Sequence, residues 1–184
     1  MVVLKNRMDY GSLYSLMLSR RSVRKFKNKK VPRELIEKIV AAGITAPSSF
    51  NKQPWKFVVL EDPEKKKILR EIYADARKKQ GLYEQDTSFV EIAVPIILVC
   101  ESEDKGLLYS CAMAAQNMNL AAISLGLGSL QAIAATTQEE DRERIAELIG
   151  EKKGFVMLVL FYGYPDEEPQ KKPKKALGEV MEFI

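Results

Sequence analysis

The sequence predicts an α+β fold. Several segments have the three-to-four-residue apolar spacing of helices, a few short segments have the composition of strands, and the two kinds do not alternate strictly. The chain has 184 residues, 46% of them hydrophobic, which is enough for a sizeable core. Because no internal repeat or break in composition marks a boundary, we expect a single domain over residues 1–184.

The first two predicted elements are helices. Leu13, Leu16 and Met17 share one side of a short amphipathic helix. A second helix follows Val31, and Pro32 suits its first turn. The apolar face of this second helix consists of Leu35, Ile36, Ile39 and Val40.

A loop, a strand and a third helix come next. Residues 45–55, TAPSSFNKQPW, contain two prolines and turn-forming residues throughout, which predicts a loop. Lys56–Leu60 is typical of a strand. Asp62 followed by Pro63 predicts the cap and first turn of a helix. The apolar face of that helix consists of Ile68, Leu69, Ile72 and Tyr73.

The second half of the chain contains the two most apolar segments of strand length, Ala93–Cys100 and Phe155–Tyr162. We expect the second of them near the centre of the sheet. Between them, Thr137-Gln138-Glu139-Glu140 has the pattern of a capping box that opens a helix ending at Gly150.

The segment Leu107–Leu125 predicts a long buried helix that stops at Gly126-Leu127-Gly128. Polar residues such as Gln116 and Asn119 interrupt its apolar run, which favours a buried helix over a membrane span. Because almost every side of the helix is apolar, a domain of this size cannot cover it fully. We therefore expect a partner subunit to cover its outer face.

Composition excludes several kinds of site. The chain has no histidine, which excludes Ser-His-Asp and Cys-His catalysis and His-ligated zinc in their usual forms. Cys100 and Cys111 cannot provide four thiolates for a zinc or iron–sulfur site, and their apolar surroundings predict small buried residues. We expect no metal site.

Charge and segment composition also limit the partners and the location. The net charge of +4 is a mild excess that gives little reason to expect nucleic-acid binding. Neither a cleavable leader nor a membrane-spanning segment is recognisable, so we expect no membrane partner. Unpaired cysteines fit a reducing, cytoplasmic protein better than a secreted one.

The first candidate binding segment is Ser19–Phe26, SRRSVRKF. If it is extended, Arg20, Ser22 and Arg24 project from one face. Two guanidinium groups and a hydroxyl would suit phosphate oxygens. For an isolated basic run, a solvated surface is the more common outcome.

The second candidate is Ala46–Trp55, which gathers two hydroxyls, two amides and the single tryptophan of the chain in a rigid loop. Polar groups with fixed directions could bind a heteroaromatic ligand with several donors and acceptors. The alternative is an ordinary loop in which Trp55 packs in the core.

The third candidate is Gly126–Ala134, where two glycines and small residues allow the backbone to approach a flat ligand closely. The segment lacks the spacing and the preceding strand of a dinucleotide fingerprint. The alternative is a plain helix stop. The fourth candidate, Lys171–Lys175, reads on its own as a solvated tail.

Taken in order, these segments resemble the nitroreductase family of flavoproteins. The resemblance rests on RRSVRKF, VPRELIEKIVAAGITAPSSFNKQPWKFVVLED, AAQNMNLAAISLGLGS and FYGYPDEEP, and it runs from Arg20 to Val180. It implies a central, mostly antiparallel sheet flanked by helices, with a long buried helix at the interface of an intertwined homodimer. It also implies one FMN at each of two interface sites.

The resemblance further implies which residues bind FMN. Arg20 and Ser22, with Arg21 nearby, would hold the phosphate and ribityl chain. Arg24 would lie near the flavin N1/O2 edge, and Lys174 matches the usual basic residue for the phosphate.

Two other segments would complete the flavin site. The residues that cover the ring from the other subunit would be Pro47, Ser48, Ser49 and, as a further candidate, Asn51. The backbone that passes the flavin N5 would be that of Gln131, Ala132, Ile133 and Ala134.

The chain departs from longer members in two places. They often place an asparagine and a lysine before the strand that is Ala93–Cys100 here, whereas this chain has Asp86 and Phe89, so we predict no site there. A glutamate found beside N5 in some members has no counterpart near Ile133.

The implied activity is that of an FMN-dependent oxidoreductase. Hydride would pass from NAD(P)H through the flavin N5 to a nitroaromatic, quinone or similar small aromatic acceptor, by a ping-pong mechanism. Because the flavin carries the redox chemistry, no side chain is predicted to be catalytic in the strict sense. Arg24 would stabilise negative charge at N1/O2.

Three alternatives remain open at this point. Some relatives on the same fold dehalogenate aromatic substrates or cleave the flavin. A flavin-binding or flavin-storage protein would have no dedicated substrate. A nucleic-acid binder would use the basic clusters at residues 20–30 and 171–175, although aromatic residues are not interleaved with them.

Overall fold

The computed structural model describes residues 9–82 and 86–184 of the chain. The helices in this part are α1 (Tyr10–Ser19), α2 (Arg33–Gly43), α3 (Pro63–Lys79), α4 (Phe89–Ile92), α5 (Lys105–Ser124) and α6 (Glu139–Ile149). The strands are β1 (Trp55–Val59), β2 (Val94–Cys100), β3 (Gly128–Gln131) and β4 (Phe155–Gly163).

The four strands form one sheet in the order β1-β2-β4-β3, and every neighbouring pair is antiparallel. The predicted α+β class and the central position of the 155–162 segment are therefore confirmed. β2 and β4 are apolar along almost their whole length because helices cover both faces of the sheet.

Successive side chains of the central strands enter two separate cores. On one face, Ile97 and Val99 pack with buried residues of α3, α4 and α6. On the other face, Ile96, Leu98 and Cys100 pack with buried residues of α2 and α5. The sheet is thus the middle layer between two groups of helices.

Local sequence signals place most helix boundaries correctly. The Asp62 carboxylate accepts hydrogen bonds from the N–H groups of Glu64 and Lys65, at 2.9 and 3.3 Å, and α3 begins at Pro63 as predicted. Gly150 ends α6 in the left-handed conformation, at φ 70°. Both cysteines are buried free thiols, as their apolar surroundings predicted.

Two local predictions are wrong. Thr137–Glu140 does not form a capping box: the Thr137 hydroxyl donates to the Ile133 carbonyl at 3.1 Å, and α6 begins at Glu139 without a side-chain cap. Pro32 occupies the position before α2 rather than its first turn. The predicted helix stop at Gly126 is confirmed, because Gly126 follows α5 in the left-handed conformation, at φ 75°. The pairing of residues 128–131 with β4 as an edge strand was not predicted.

Within residues 9–82 and 86–184, no helix is both long enough and apolar enough to cross a membrane. The same described residues contain no group of three or more His, Cys, Asp and Glu side chains that could hold a metal ion.

A single carboxylate closes the turn after α6. Glu151 accepts the N–H groups of Lys152, Lys153 and Gly154 at 3.0–3.1 Å, and the Lys56 ammonium donates to it at 2.7 Å. The Lys56 contact, followed by these N–H groups, lowers the pKa of Glu151 from 4.5 to about 2.

We predict that Glu151→Gln lowers stability at neutral pH and flattens its acid dependence. Because the folded pKa lies below the unfolded one, the carboxylate stabilises the fold above about pH 4.5 and loses this effect as the pH falls towards 2. Urea midpoints at pH 7 and pH 3 test this, with Glu143→Gln on the exposed side of α6 as control. Equal acid sensitivity of the Glu151 variant and the wild type would contradict the prediction.

Candidate functional site

The first and third candidate segments lie side by side at one edge of the sheet. Ser22 forms a parallel bridge with Ser129 of β3, and the Val23 N–H donates to the Ser129 carbonyl at 3.0 Å. The arginine-containing segment therefore extends the sheet beyond β3. Sequence reasoning missed β3 itself because four residues beginning with glycine carry no clear strand pattern.

The segment after Val23 pairs with the chain that follows β4. The Lys27 N–H donates to the Tyr164 carbonyl at 2.8 Å, and the Asp166 N–H donates to the Lys25 carbonyl at 2.9 Å. Phe26 forms an antiparallel bridge with Pro165. Two separate neighbours, β3 and the chain after β4, therefore hold the arginine segment.

The three arginines of this segment keep their charge available. The Arg21 guanidinium donates to the carbonyls of Leu18 and Arg20 at 2.6 and 2.7 Å, and the Arg24 guanidinium reaches the Ser22 carbonyl at 3.4 Å. Across the described ranges, none of these arginines forms an ion pair, whereas Arg33, Arg70 and Arg144 do. Unpaired guanidinium groups at one edge favour an anionic ligand.

A cavity of about 590 Å³ opens between this segment, the C-terminal end of α5 and the chain after β4. This volume lies in the usual range for small-molecule sites. Its lining consists of Ser19, Arg21, Val23, Ile123, Gly126, Leu127, Gly128, Pro165, Glu167, Glu168, Pro169, Gln170 and Lys171.

Arg21 is the predicted site residue that lines this cavity, whereas Lys174 is exposed and lies outside the lining. The segment after β4 contributes Glu167 and Lys171 instead. Sequence reasoning assigned no role to Glu167, because FYGYPDEEP marked only the resemblance. Lys171 belongs to the fourth candidate segment, which on its own predicted a solvated tail.

The second candidate segment lies at the other end of α5. The Ser49 hydroxyl donates to the Gly106 carbonyl at 3.2 Å, and the Ser49 N–H donates to the Ser110 hydroxyl at 3.1 Å. The Ser48 hydroxyl accepts the Gln53 N–H at 3.0 Å. Ser49 therefore ties this loop to the first turns of the helix, whereas Ser48 holds the loop to itself through Gln53. Pro47 lies at the start of the loop.

The 20 residues of α5 separate this loop from Gly126 by about 30 Å. Within one subunit, Ser48 and Ser49 therefore cannot reach a ligand bound beside the arginine segment. The three candidate segments meet only if the loop comes from another copy of the chain.

The same loop contains strained backbone. Phe50, Asn51 and Gln53 have positive φ angles of 52°, 55° and 50°. Residues other than glycine pay about 1–2 kcal/mol for this conformation, and such strain concentrates at functional sites. The Phe50 side chain is 96% exposed, so the loop presents an aromatic ring to its surroundings.

The backbone of residues 131–134, which the resemblance places beside the flavin N5, is firmly held. The Ala132 N–H donates to the Val159 carbonyl at 2.8 Å, and the Ala134 carbonyl accepts the Gln80 side-chain amide at 3.0 Å. Gln131 is the last residue of β3, and Ile133, which lies between Ala132 and Ala134, is 62% exposed. This segment is a rigid edge with one projecting apolar side chain.

The two departures from the family pattern have structural roles here. Asp86 accepts the N–H and the hydroxyl of Ser88, at 2.8 and 2.7 Å, and these bonds lower the pKa of its carboxyl. Phe89 is buried in the core against Tyr73 and Phe161. Asp86 thus orders the turn before α4, and Phe89 fills part of the core.

Comparison with known proteins identifies the family. The model of the nitroreductase family matches residues 17–164. The chain is 33% identical over 157 residues to the Methanothermobacter thermautotrophicus protein named "Putative NADH dehydrogenase/NAD(P)H nitroreductase", covering 82% of this chain and 76% of that protein. The chain therefore belongs to the nitroreductase family.

Two further proteins show the breadth of this similarity. Mouse iodotyrosine deiodinase 1 is 29% identical over 201 residues, which cover 95% of this chain and 70% of that protein. The structure of an FMN-dependent nitroreductase from Clostridium difficile R20291 superimposes with a TM-score of 0.77 at 26% identity, covering 92% of this chain and 98% of that one. These likenesses confirm the predicted nitroreductase-like fold.

We predict that Gly128→Ala destabilises the edge where the segments meet. A Cβ atom at residue 128 would lie 2.8 Å from Cγ2 of Val23, so the arginine segment would have to shift. Overpacking of this kind costs about 1–3 kcal/mol. The urea midpoint should fall accordingly, whereas Gly178→Ala, with nothing within 4 Å, should leave it unchanged. Equal midpoints for the two variants would contradict this account.

Proposed function

We propose that this protein is an FMN-dependent oxidoreductase that takes electrons from NAD(P)H and reduces nitroaromatic, quinone or similar small aromatic acceptors. Membership of the nitroreductase family supports an FMN flavoprotein. The names of its relatives support the nicotinamide donor. The observation that carries the proposal is the edge at which the RRSVR segment meets β3 with its guanidinium groups unpaired in the described structure.

The residues at this edge fit a phosphorylated flavin. Arg20, Arg21 and Ser22 supply guanidinium and hydroxyl donors for phosphate oxygens. Val23 packs directly against Gly128, which has no side chain, so the arginine segment lies close to β3. Lys171 adds positive charge to the cavity wall, and the exposed Lys174 three residues later remains a candidate for the phosphate.

When bound, FMN would supply the redox chemistry, by which hydride would pass from the nicotinamide through N5 to the acceptor. The protein therefore needs no nucleophile, in keeping with a chain that contains no histidine. Arg24 has an exposed guanidinium without a carboxylate partner in the described residues, so its charge can stabilise the flavin when negative charge develops at N1/O2. The firmly held backbone of residues 131–134 forms one wall of the site.

We further propose that the active unit is a homodimer formed along α5. Tyr109 and Met113 are exposed on this helix, and α1 buries none of its residues. A two-fold pairing that places two α5 helices in opposite directions brings the loop of Ser48, Ser49 and Asn51 from one copy to the arginine edge of the other. That pairing removes the separation of about 30 Å that exists within one chain.

The visible absorption spectrum tests the proposal. We expect the purified protein, as isolated or after incubation with FMN and desalting, to be yellow and to bleach when NADH or NADPH is added without oxygen. A colourless protein after this treatment would contradict FMN binding. A yellow protein that neither nicotinamide bleaches would instead favour a flavin-binding or storage role.

For the predicted role of Arg24, we expect Arg24→Ala to slow flavin reduction by about 10- to 100-fold while changing FMN retention less, because a charge aimed at N1/O2 acts on the reduced form. Stopped-flow absorbance at saturating FMN measures the rate. Arg24→Lys should recover part of it, and Lys38→Ala on the exposed side of α2 is the control. An unchanged rate in Arg24→Ala would overturn the assignment.

For the dimer, we expect Met113→Glu to yield monomers that lose FMN, because a carboxylate would be buried in an apolar interface. Light scattering coupled to size-exclusion chromatography measures the mass. Ile68→Glu on α3 is a matched control, since Ile68 and Met113 are 46% and 40% exposed but lie on different helices. A dimer that survives Met113→Glu would contradict an interface along α5.

A second candidate function is reductive dehalogenation of a halogenated aromatic substrate. The similarity to mouse iodotyrosine deiodinase 1 over 95% of this chain favours it. Halide release from 3-iodotyrosine by the reduced protein, compared with reduction of a nitroaromatic under the same conditions, separates the two candidates. Iodide release without nitroaromatic turnover would replace the first proposal.

A further inference from the structure

Glu167 holds the backbone from which Arg24 projects. One oxygen of its carboxylate accepts hydrogen bonds from the N–H groups of both Arg24 and Lys25, the second at 3.0 Å. These residues are more than 140 positions away from Glu167 in the sequence. Hydrogen bonds to an ionised acceptor are about twice as strong as neutral ones.

The local backbone shows why a carboxylate is needed here. In a regular strand, successive N–H groups point to opposite edges, but the N–H groups of Arg24 and Lys25 converge on one oxygen. Both side chains are exposed, although Val23 and Phe26 on either side of them are buried. The segment therefore bends at Arg24, and a single anion satisfies the two donors at the bend.

The surrounding pairing explains how Glu167 reaches this bend. Residues 164–166 run antiparallel to residues 25–27, with backbone bonds from Lys27 to Tyr164 and from Asp166 to Lys25. Glu167 comes directly after this pairing, and there its side chain, not its backbone, accepts the hydrogen bonds from the arginine segment. It also lines the same cavity as Arg21.

We propose that Glu167 is a positioning residue of the FMN site, which fixes the bend at Arg24 and Lys25 and thereby the direction of the Arg24 guanidinium. It acts through this backbone and not by contact with the flavin. The role rests on the proposed function, because it presupposes that the arginine segment binds FMN. A preorganised segment binds more tightly because less freedom is lost on binding.

A comparison with Glu168 separates positioning from simple charge. Glu168 lines the same cavity and is exposed, but makes no hydrogen bond to the arginine segment within the described residues. Removing either carboxylate takes a negative charge away from the phosphate site, so Coulomb attraction alone predicts tighter FMN binding for both variants. Positioning predicts weaker binding for Glu167 variants only.

The experiment uses the full-length apoprotein and the variants Glu167→Ala, Glu167→Gln and Glu168→Gln. Quenching of flavin fluorescence gives the dissociation constant for FMN. Hydrogen exchange of the Arg24 and Lys25 amides, measured without FMN, reports the backbone directly. We expect Glu167→Ala to raise both the dissociation constant for FMN and the exchange rates of these two amides about tenfold. The amides of β2 and β4 should exchange as in the wild type, which shows that the fold is intact. Glu167→Gln should recover part of the loss, since its amide oxygen still accepts.

Two results would overturn this role. If the wild type binds FMN and Glu167→Ala binds it with the same dissociation constant, Glu167 has no positioning role, and the proposed function stays intact. Weakening by Glu168→Gln to the same extent shows a general effect of the cavity wall. A wild-type protein that binds no FMN overturns the proposed function, and the positioning role with it.

Discussion

The length and position of α5 constrain the rest of the site. The Ser48–Ser49 loop is hydrogen-bonded to its first turns, and Gly126 and β3 follow its last turn. Because 20 helical residues span about 30 Å, no rearrangement of loops within one subunit can bring these two groups together. The proposed site, which combines both groups, therefore needs a second copy of the chain, and the apolar residues exposed on α5 and α1 offer a surface for it.

The sheet edge at β3 is the second organising feature. Its outer side pairs with Ser22 and Val23. This pairing fixes the backbone of the arginine segment. The glycine at residue 128 permits the approach, because a Cβ atom there would meet Val23. An edge strand normally exposes unpaired backbone groups. Here the arginine segment covers that edge, so the contact that protects the sheet also orders the segment proposed to bind FMN.

Local patterns of sequence predicted most of the fold and the segments of the site. The cap at Asp62, the left-handed stop at Gly150 and the apolar runs of β2 and β4 all depend on neighbours in sequence. The capping box predicted at Thr137 is absent because the Thr137 hydroxyl donates instead to the Ile133 carbonyl in the preceding turn. A hydroxyl that can accept from a following N–H or donate to a preceding carbonyl cannot be assigned from spacing alone.

The sequence by itself determined the α+β class and the family, and it predicted the segments of the candidate site, because periodicity and motif spacing are properties of the chain read in order. Only the tertiary structure decided that Ser22 pairs with Ser129, that Glu167 binds the backbone at Arg24, and that the serine loop lies at the far end of α5. These contacts join residues that are distant along the chain, and their partners are chosen by the packing of the whole fold.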